Sequence, residues 1–195
     1  MLVKRCRGLI NLPVLAIAAI VVASCASESP PPPPPAAETA APAPAPRPSD
    51  PQIADIAYKA GQIDIRTAKL ALQKSRNKQV RAFANEMIRD HTAVNRKALA
   101  LLKKLNVTPE DNDTSRAIST EADAEYATLK GLKGAEFDKA YMDNEVAYHQ
   151  KVNGALQNTL IPSAQNPELK SLLETGLKIF QGHEQHAEQL AAKLK

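Results

Sequence analysis

The chain of 195 residues has no tryptophan, two cysteines, seven glycines and few aromatics, four Tyr and three Phe. Each shortage excludes something. The glycines stand singly, at Gly8, Gly61, Gly131, Gly134, Gly154, Gly176 and Gly182. Neither a Gly-x-Gly-x-x-Gly dinucleotide fingerprint nor a phosphate loop can be built from them. The apolar runs are short. The longest, Leu9 to Ala23, is broken by Asn11 and Pro13 and falls below the roughly 20 residues a membrane span requires. Proline is plentiful but confined: eleven of the fifteen lie between Pro30 and Pro51, and only Pro109, Pro162 and Pro167 follow. The chain therefore reads as a proline-rich segment joined to a proline-poor domain rich in Ala, Leu and Lys.

The start of the chain reads as an address. Lys4, Arg5 and Arg7 precede the apolar run, as the charged and apolar regions of a secretory signal do. The run closes on Val22-Ala23-Ser24-Cys25, small residues before a cysteine, the pattern of a bacterial lipobox. The expected organisation is a lipoprotein signal peptide over residues 1–24, then a lipidated Cys25 with a Pro/Ala-rich linker to residue 50, then a helical domain over 51–195. Cleavage removes three cations and no acid, so the net charge falls from +4 to +1. That balance, with so few aromatics, excludes a nucleic-acid binder. Cys6 leaves with the signal and Cys25 is capped by lipid, so disulfides, thiolate metal sites and cysteine nucleophiles are excluded from the domain. Several acyl chains on one cysteine hold a protein stably to a membrane. Ala26 follows Cys25 where an Asp would favour the inner membrane, so the expected location is the periplasmic face of the outer membrane.

The domain has helical periodicity throughout and no convincing strand. Asp50 as N-cap and Pro51 at the first helical position open a first helix with Ile53, Ile56, Ala57, Ala60, Ile63, Thr67, Leu70 and Ala71 on one face. After a break at 75–77, Val80, Phe83, Ala84, Met87, Val94, Leu101 and Leu102 mark a second helix. A loop over 106–113 leads to a shorter helix at 115–130 and a turn between Gly131 and Gly134. A third long helix spans 135–160 and is ended by Pro162; Asn166-Pro167-Glu168 starts the last. The first and third connections are tight and the middle one is long, with its own short helix. The fold class is all-α: a four-helix bundle with one long crossover, the ferritin-like arrangement.

The only chemical signal lies in polar gaps of the four stripes. Asp64 interrupts the first, His91 beside Asp90 the second, Glu145 and His149 the third, and His183 and His186 the fourth. All four histidines of the protein are in this set. Each gap lies within about 7–8 Å of its helix midpoint at 1.5 Å rise per residue. In a bundle every helix passes mid-height near its own midpoint, so the gaps can share one layer. Facing carboxylates and imidazoles across a bundle core are how bundle metal sites are made, and such mixed ligands suit Fe, Mn, Zn or Cu. The alternative is a layer that pairs with itself and fixes helix register. No Glu-x-x-His occurs at the places a di-iron bundle uses, and no Cys-x-x-Cys-His for heme is present.

Several stretches resemble a family. Val80-Arg81-Ala82-Phe83-Ala84 with Met87-Ile88-Arg89-Asp90-His91-Thr92, and Gly134-Ala135-Glu136-Phe137-Asp138-Lys139-Ala140-Tyr141-Met142, are distinctive. Leu70-Ala71 with Lys74-Ser75, Glu145 to His149 and His183 fit as well. They are similar to the ferritin-like domain-of-unknown-function family 4142 of exported bacterial proteins, over about residues 53–192. The first helix departs from that pattern at Gln62-Ile63-Asp64-Ile65-Arg66. The resemblance implies the fold and export, and no established enzyme activity. Two functions are expected: a lipid-anchored binding or structural module of the cell envelope, or a metal-handling bundle using Asp64, Asp90, His91, Glu145, His149, His183 and His186.

Overall fold

The computed structural model describes residues 47–194. The Val22–Cys25 tetrad and most of the proline-rich segment lie outside the described residues. Among the described residues six α-helices follow one another: α1 (Asp50–Lys74), α2 (Lys78–Leu105), α3 (Asp113–Gly131), α4 (Gly134–Ala155), α5 (Ile161–Ser163) and α6 (Pro167–Ala191). A π-helical turn, Leu156–Leu160, joins α4 to α5. Among the described residues there is no strand, and no helix is long and apolar enough to cross a membrane.

The helix ends explain the boundaries. Asn77 closes the tight connection after α1 by accepting the Gln79 and Val80 amides on its side chain, which starts α2. Asn106 ends α2 in the left-handed region, at φ 54°, and its N–H returns to Leu102 and Lys103. Asn166 caps α6 through the amides of Glu168 and Leu169, as its Asn-Pro-Glu sequence requires.

Three sequence expectations need correcting. The cap of α1 is Ser49, not Asp50: the Ser49 N–H donates to Gln52 Oε1 at 3.1 Å. Asp50 is instead drawn to two free amides before α6, accepting from Gln165 N and Asn166 N at 2.8 Å each. Helix α3 starts two residues earlier than expected, because Asn112 and Ser115 cap one another's amides. Pro162 does not end the third long helix; it lies inside α5. Proline lacks an N–H and crowds the carbonyl four residues back. The π turn ahead of it widens the backbone, with Ile161 N–H reaching Leu156 O, so the chain stays helical to Ser163.

Helices α1 and α2 pair as one hairpin and α4 and α6 as the other, while α3 packs chiefly on α1. Residues 106–133 thus form the long crossover, and the architecture is the ferritin-like four-helix bundle expected from the pattern. Gly61 marks where α1 and α2 approach closely: a Cβ there would stand 2.5 Å from the Asn95 side chain. The core is in two parts. One cluster holds Phe83, Met87, Leu129, Phe137, Tyr141 and Met142; the other holds Ile53, Leu156, Leu160, Leu169, Leu173 and Phe180. Burying each such side chain contributes about 1.5–3 kcal/mol. Between them each long bundle helix buries polar residues: Asp64 on α1, His91 on α2, Glu145 and His149 on α4 and His183 on α6.

Candidate metal centre

Asp64 on α1, His91 on α2, Glu145 and His149 on α4 and His183 on α6 are all buried, none more than 3% exposed. Their positions follow from periodicity. His91 continues Ala84 and Met87 at i+4, Glu145 follows Tyr141 by the same step and His149 follows Glu145, and His183 lies one turn beyond Phe180. Asp64 Oδ2 lies 3.2 Å from His91 Nε2 and 3.5 Å from His149 Nε2. Ring nitrogens of His91, His149 and His183 lie within 4.8 Å of one another.

These groups do not satisfy one another. Both Asp64 oxygens, both His91 nitrogens, His149 Nε2, His183 Nδ1 and Glu145 Oε2 are buried without a hydrogen-bond partner. At 3.2 Å, His91 and Asp64 are near enough to bond but are not aligned to do so. Each orphan costs about 1–3 kcal/mol, and a group of them in a native core calls for an explanation such as a bound ion. Donors about 2.0–2.1 Å from one tetrahedrally held ion stand about 3.3–3.4 Å apart, which matches the Asp64 separations.

Outer partners set the tautomers. His149 Nδ1 contacts the Glu145 carbonyl at 2.9 Å, which directs Nε2 to the cluster. His183 Nε2 contacts Asp90 Oδ2 at 3.1 Å, which leaves Nδ1 as its free lone pair. Backbone carbonyls and carboxylates hold metal-ligating histidines in this way. Burial pushes the Asp64 carboxyl up to about 8 and lowers His149 to about 4. Burial also raises Glu145 well above the usual range, with the nearby Asp64 adding to the shift. His91 is held well below its ordinary value by burial and by the other two imidazoles. The imidazoles are therefore neutral at pH 7, the state in which they ligate.

Two of the seven expected residues stand apart. Asp90 is at the rim, clamped by Arg89 Nε and Nη2 at 2.7 and 2.9 Å. His186 is exposed; its Nδ1 contacts Glu86 Oε2 at 2.8 Å and its ring meets the edge of Phe83 at 5.2 Å between centroids. Three residues beyond His183, it is rotated about 60° from it around the helix, enough to leave the core. Glu86 was missed from the pattern, although it precedes Asp90 by four residues and so shares its face. Phe180, one turn before His183 on α6, stacks on His91 with centroids 4.4 Å apart and planes at 7°. Phe180 also lines an apolar cavity of about 540 Å³, with Ile118, Tyr148, Val152 and Leu173.

Fold and site together define a ferritin-like helical bundle with a buried histidine–carboxylate cluster at mid-height. The chain belongs to the family described as a domain of unknown function, DUF4142, whose model matches residues 34–190. No curated protein matches the chain. Among solved structures it is similar to a DUF305 fragment from Deinococcus radiodurans, at 16% identity and TM-score 0.65, covering 76% of this chain and all of that one. A secreted DUF305 protein from Streptomyces coelicolor has TM-score 0.63 at 13% identity, over 73% of this chain and 91% of its own. CopM in its Cu(II)-bound form has TM-score 0.58 at 17% identity, over 75% of this chain and 99% of its own. At these identities the likeness is one of fold.

Proposed function

We propose that this protein is a transition-metal-binding bundle of the cell envelope, holding one ion with Asp64, His91, His149 and His183. The observation that carries the reading is a set of unpartnered buried donor atoms on the four bundle helices, in two groups that share His149: His91, His149 and His183, and Asp64, Glu145 and His149. A self-paired structural layer would satisfy its own hydrogen bonds, and this one does not. Three neutral imidazoles and a carboxylate suit Cu(II) and Zn(II), with copper the tighter by the general order of divalent affinities. CopM, a protein of the same fold in a Cu(II)-bound form, is a precedent for copper on such a bundle and supplies no ligand assignment. The ion would be held closed among side chains, which favours binding and carriage over catalysis.

The test is thermal. An ion present at a hundred times its dissociation constant stabilises a fold by about 2.7 kcal/mol, roughly 5–10 °C for a domain of this size. Cu(II) or Zn(II) should raise the melting temperature of the full chain by that order, and His149→Ala should abolish the rise. A wild-type chain whose melting temperature ignores both ions would sink the reading.

The envelope location rests on Val22-Ala23-Ser24-Cys25 and the basic, apolar stretch before it. Lipid on Cys25 would anchor the bundle to a membrane, with the outer membrane favoured by Ala26. Labelled fatty acid should enter the wild-type protein and be lost in Cys25→Ala; equal labelling of the variant would end this part of the proposal.

A further inference from the structure

His183 belongs to two groups of potential ligands at once. One is the buried trio with His91 and His149; the other joins Glu86, Asp90 and His183, whose ligand atoms also lie within 4.8 Å of one another. The second group extends to His186, whose Nδ1 meets Glu86 Oε2. Side-chain exposure falls steadily inward: 45% at His186, 29% at Glu86, 23% at Asp90 and 3% at His183. Beyond His183 lie His91 at 3% and Asp64 at 0%. The two nitrogens of the His183 ring face different ways. Nε2 meets Asp90, while Nδ1 is buried with no partner. Elsewhere around the cluster Phe180 stacks on His91 and lines a mainly apolar cavity whose lining also includes Glu121 and Glu125 but no histidine.

We propose that Glu86, Asp90 and His186 form a loading port for a divalent transition-metal ion, and that His183 passes the ion from this port to the buried ligands. The proposal rests on the metal-binding reading above. Two carboxylates and an imidazole at the surface between α2 and α6 capture the ion while it still carries water. Both carboxylates are engaged meanwhile: Glu86 with His186, and Asp90 with His183 and Arg89. Arg89 is 68% exposed, so its arm can swing aside when the ion arrives. Once Asp90 turns to the ion, the His183 ring loses its outer tether and is free to carry a nitrogen inward. When Asp90 recloses on Nε2, Nδ1 is again directed at the buried site. The port thus sets the rate of loading, and the inner four residues set the affinity.

The test uses the full chain and Co(II), whose visible spectrum reports ligation by the buried nitrogens. Stopped-flow mixing should show association slowed about tenfold or more in the double variant Glu86→Gln, His186→Ala, the scale by which a charged approach speeds capture. Release into chelator should slow by the same factor, because entering and leaving ions share one route. Glu174→Gln removes one charge from an exposed position elsewhere on α6 and should load at the wild-type rate. Wild-type loading rates in the double variant would overturn the proposal, as would equal slowing by Glu174→Gln, which would reduce the effect to overall charge. Faster release without slower association would overturn it too, by making Glu86 and His186 part of the final ligand set. A wild-type chain that takes up no Co(II), Cu(II) or Zn(II) would instead bring down the metal-binding reading and the port with it.

Discussion

Asp64 stands where a carboxylate is costly, buried beside His91 of α2 and His149 of α4 with both oxygens unpaired. Burial holds its carboxyl up to about 8, so the metal-free chain carries it protonated at pH 7. The consequence for stability has a definite sign. His149, lowered to about 4, binds its proton more readily in the unfolded chain, where its value is near 6.5. Stability therefore gains from His149 as pH rises from about 4 to 6.5, and His91 and His183 act in the same direction. Asp64 acts oppositely: between its unfolded value near 3.8 and about 8 the folded chain holds a proton that the unfolded chain releases. Above 6.5 only the carboxyl contribution remains, with Glu145 adding to it. Chemical denaturation in chelator should show stability falling from pH 6.5 to about 8. Asp64→Asn should flatten that slope, since a neutral amide replaces a neutral acid, and should leave stability at pH 7 within about 1 kcal/mol of wild type. The same variant should lose more metal affinity than the roughly 10–100-fold typical of removing an outer partner. An Asn variant that binds metal as the wild type does would exclude Asp64 as a ligand.

At the scale of the helix, boundaries were legible where a side chain caps the backbone next to it, as at Asn77 and Asn166. They were less legible where a long-range contact competes. Asp50 looks like a cap in sequence, yet it ties the start of α1 to the chain before α6, more than a hundred residues away. Asp50→Ala should therefore destabilise by about 1–3 kcal/mol, since it removes a charged acceptor from two amides. It should do so without shortening α1, which Ser49 and Gln52 still cap; urea denaturation with circular dichroism separates the two effects. A stability unchanged by the substitution would show that those amides are served equally well by water. Pro162 teaches a similar lesson. The residue predicts a helix end from its own chemistry, and the π turn before it relieves the clash in a way that local pattern does not display.

At the scale of the molecule, five of the seven expected residues lie buried near one another, because helices of similar length align their midpoints in a bundle. Sequence periodicity assigns a face only to within a helix's twist, and this is why His186 and Asp90 fell outside. The roles of Glu86 and Phe180 depend on α2 facing α6 and on ring orientation, which periodicity alone does not display. The two apolar clusters above and below the polar layer give the bundle its stability and keep water from the ligands. The central claim is that Asp64, His91, His149 and His183 together hold one transition-metal ion. X-ray absorption fine structure at the metal edge of the copper- or zinc-loaded full chain tests it most directly. The account predicts a first shell of nitrogen and oxygen at about 2.0–2.1 Å with the outer-shell scattering of three imidazoles, falling to two in His149→Ala. A shell without imidazole scattering, or one that His149→Ala leaves unchanged, would contradict it.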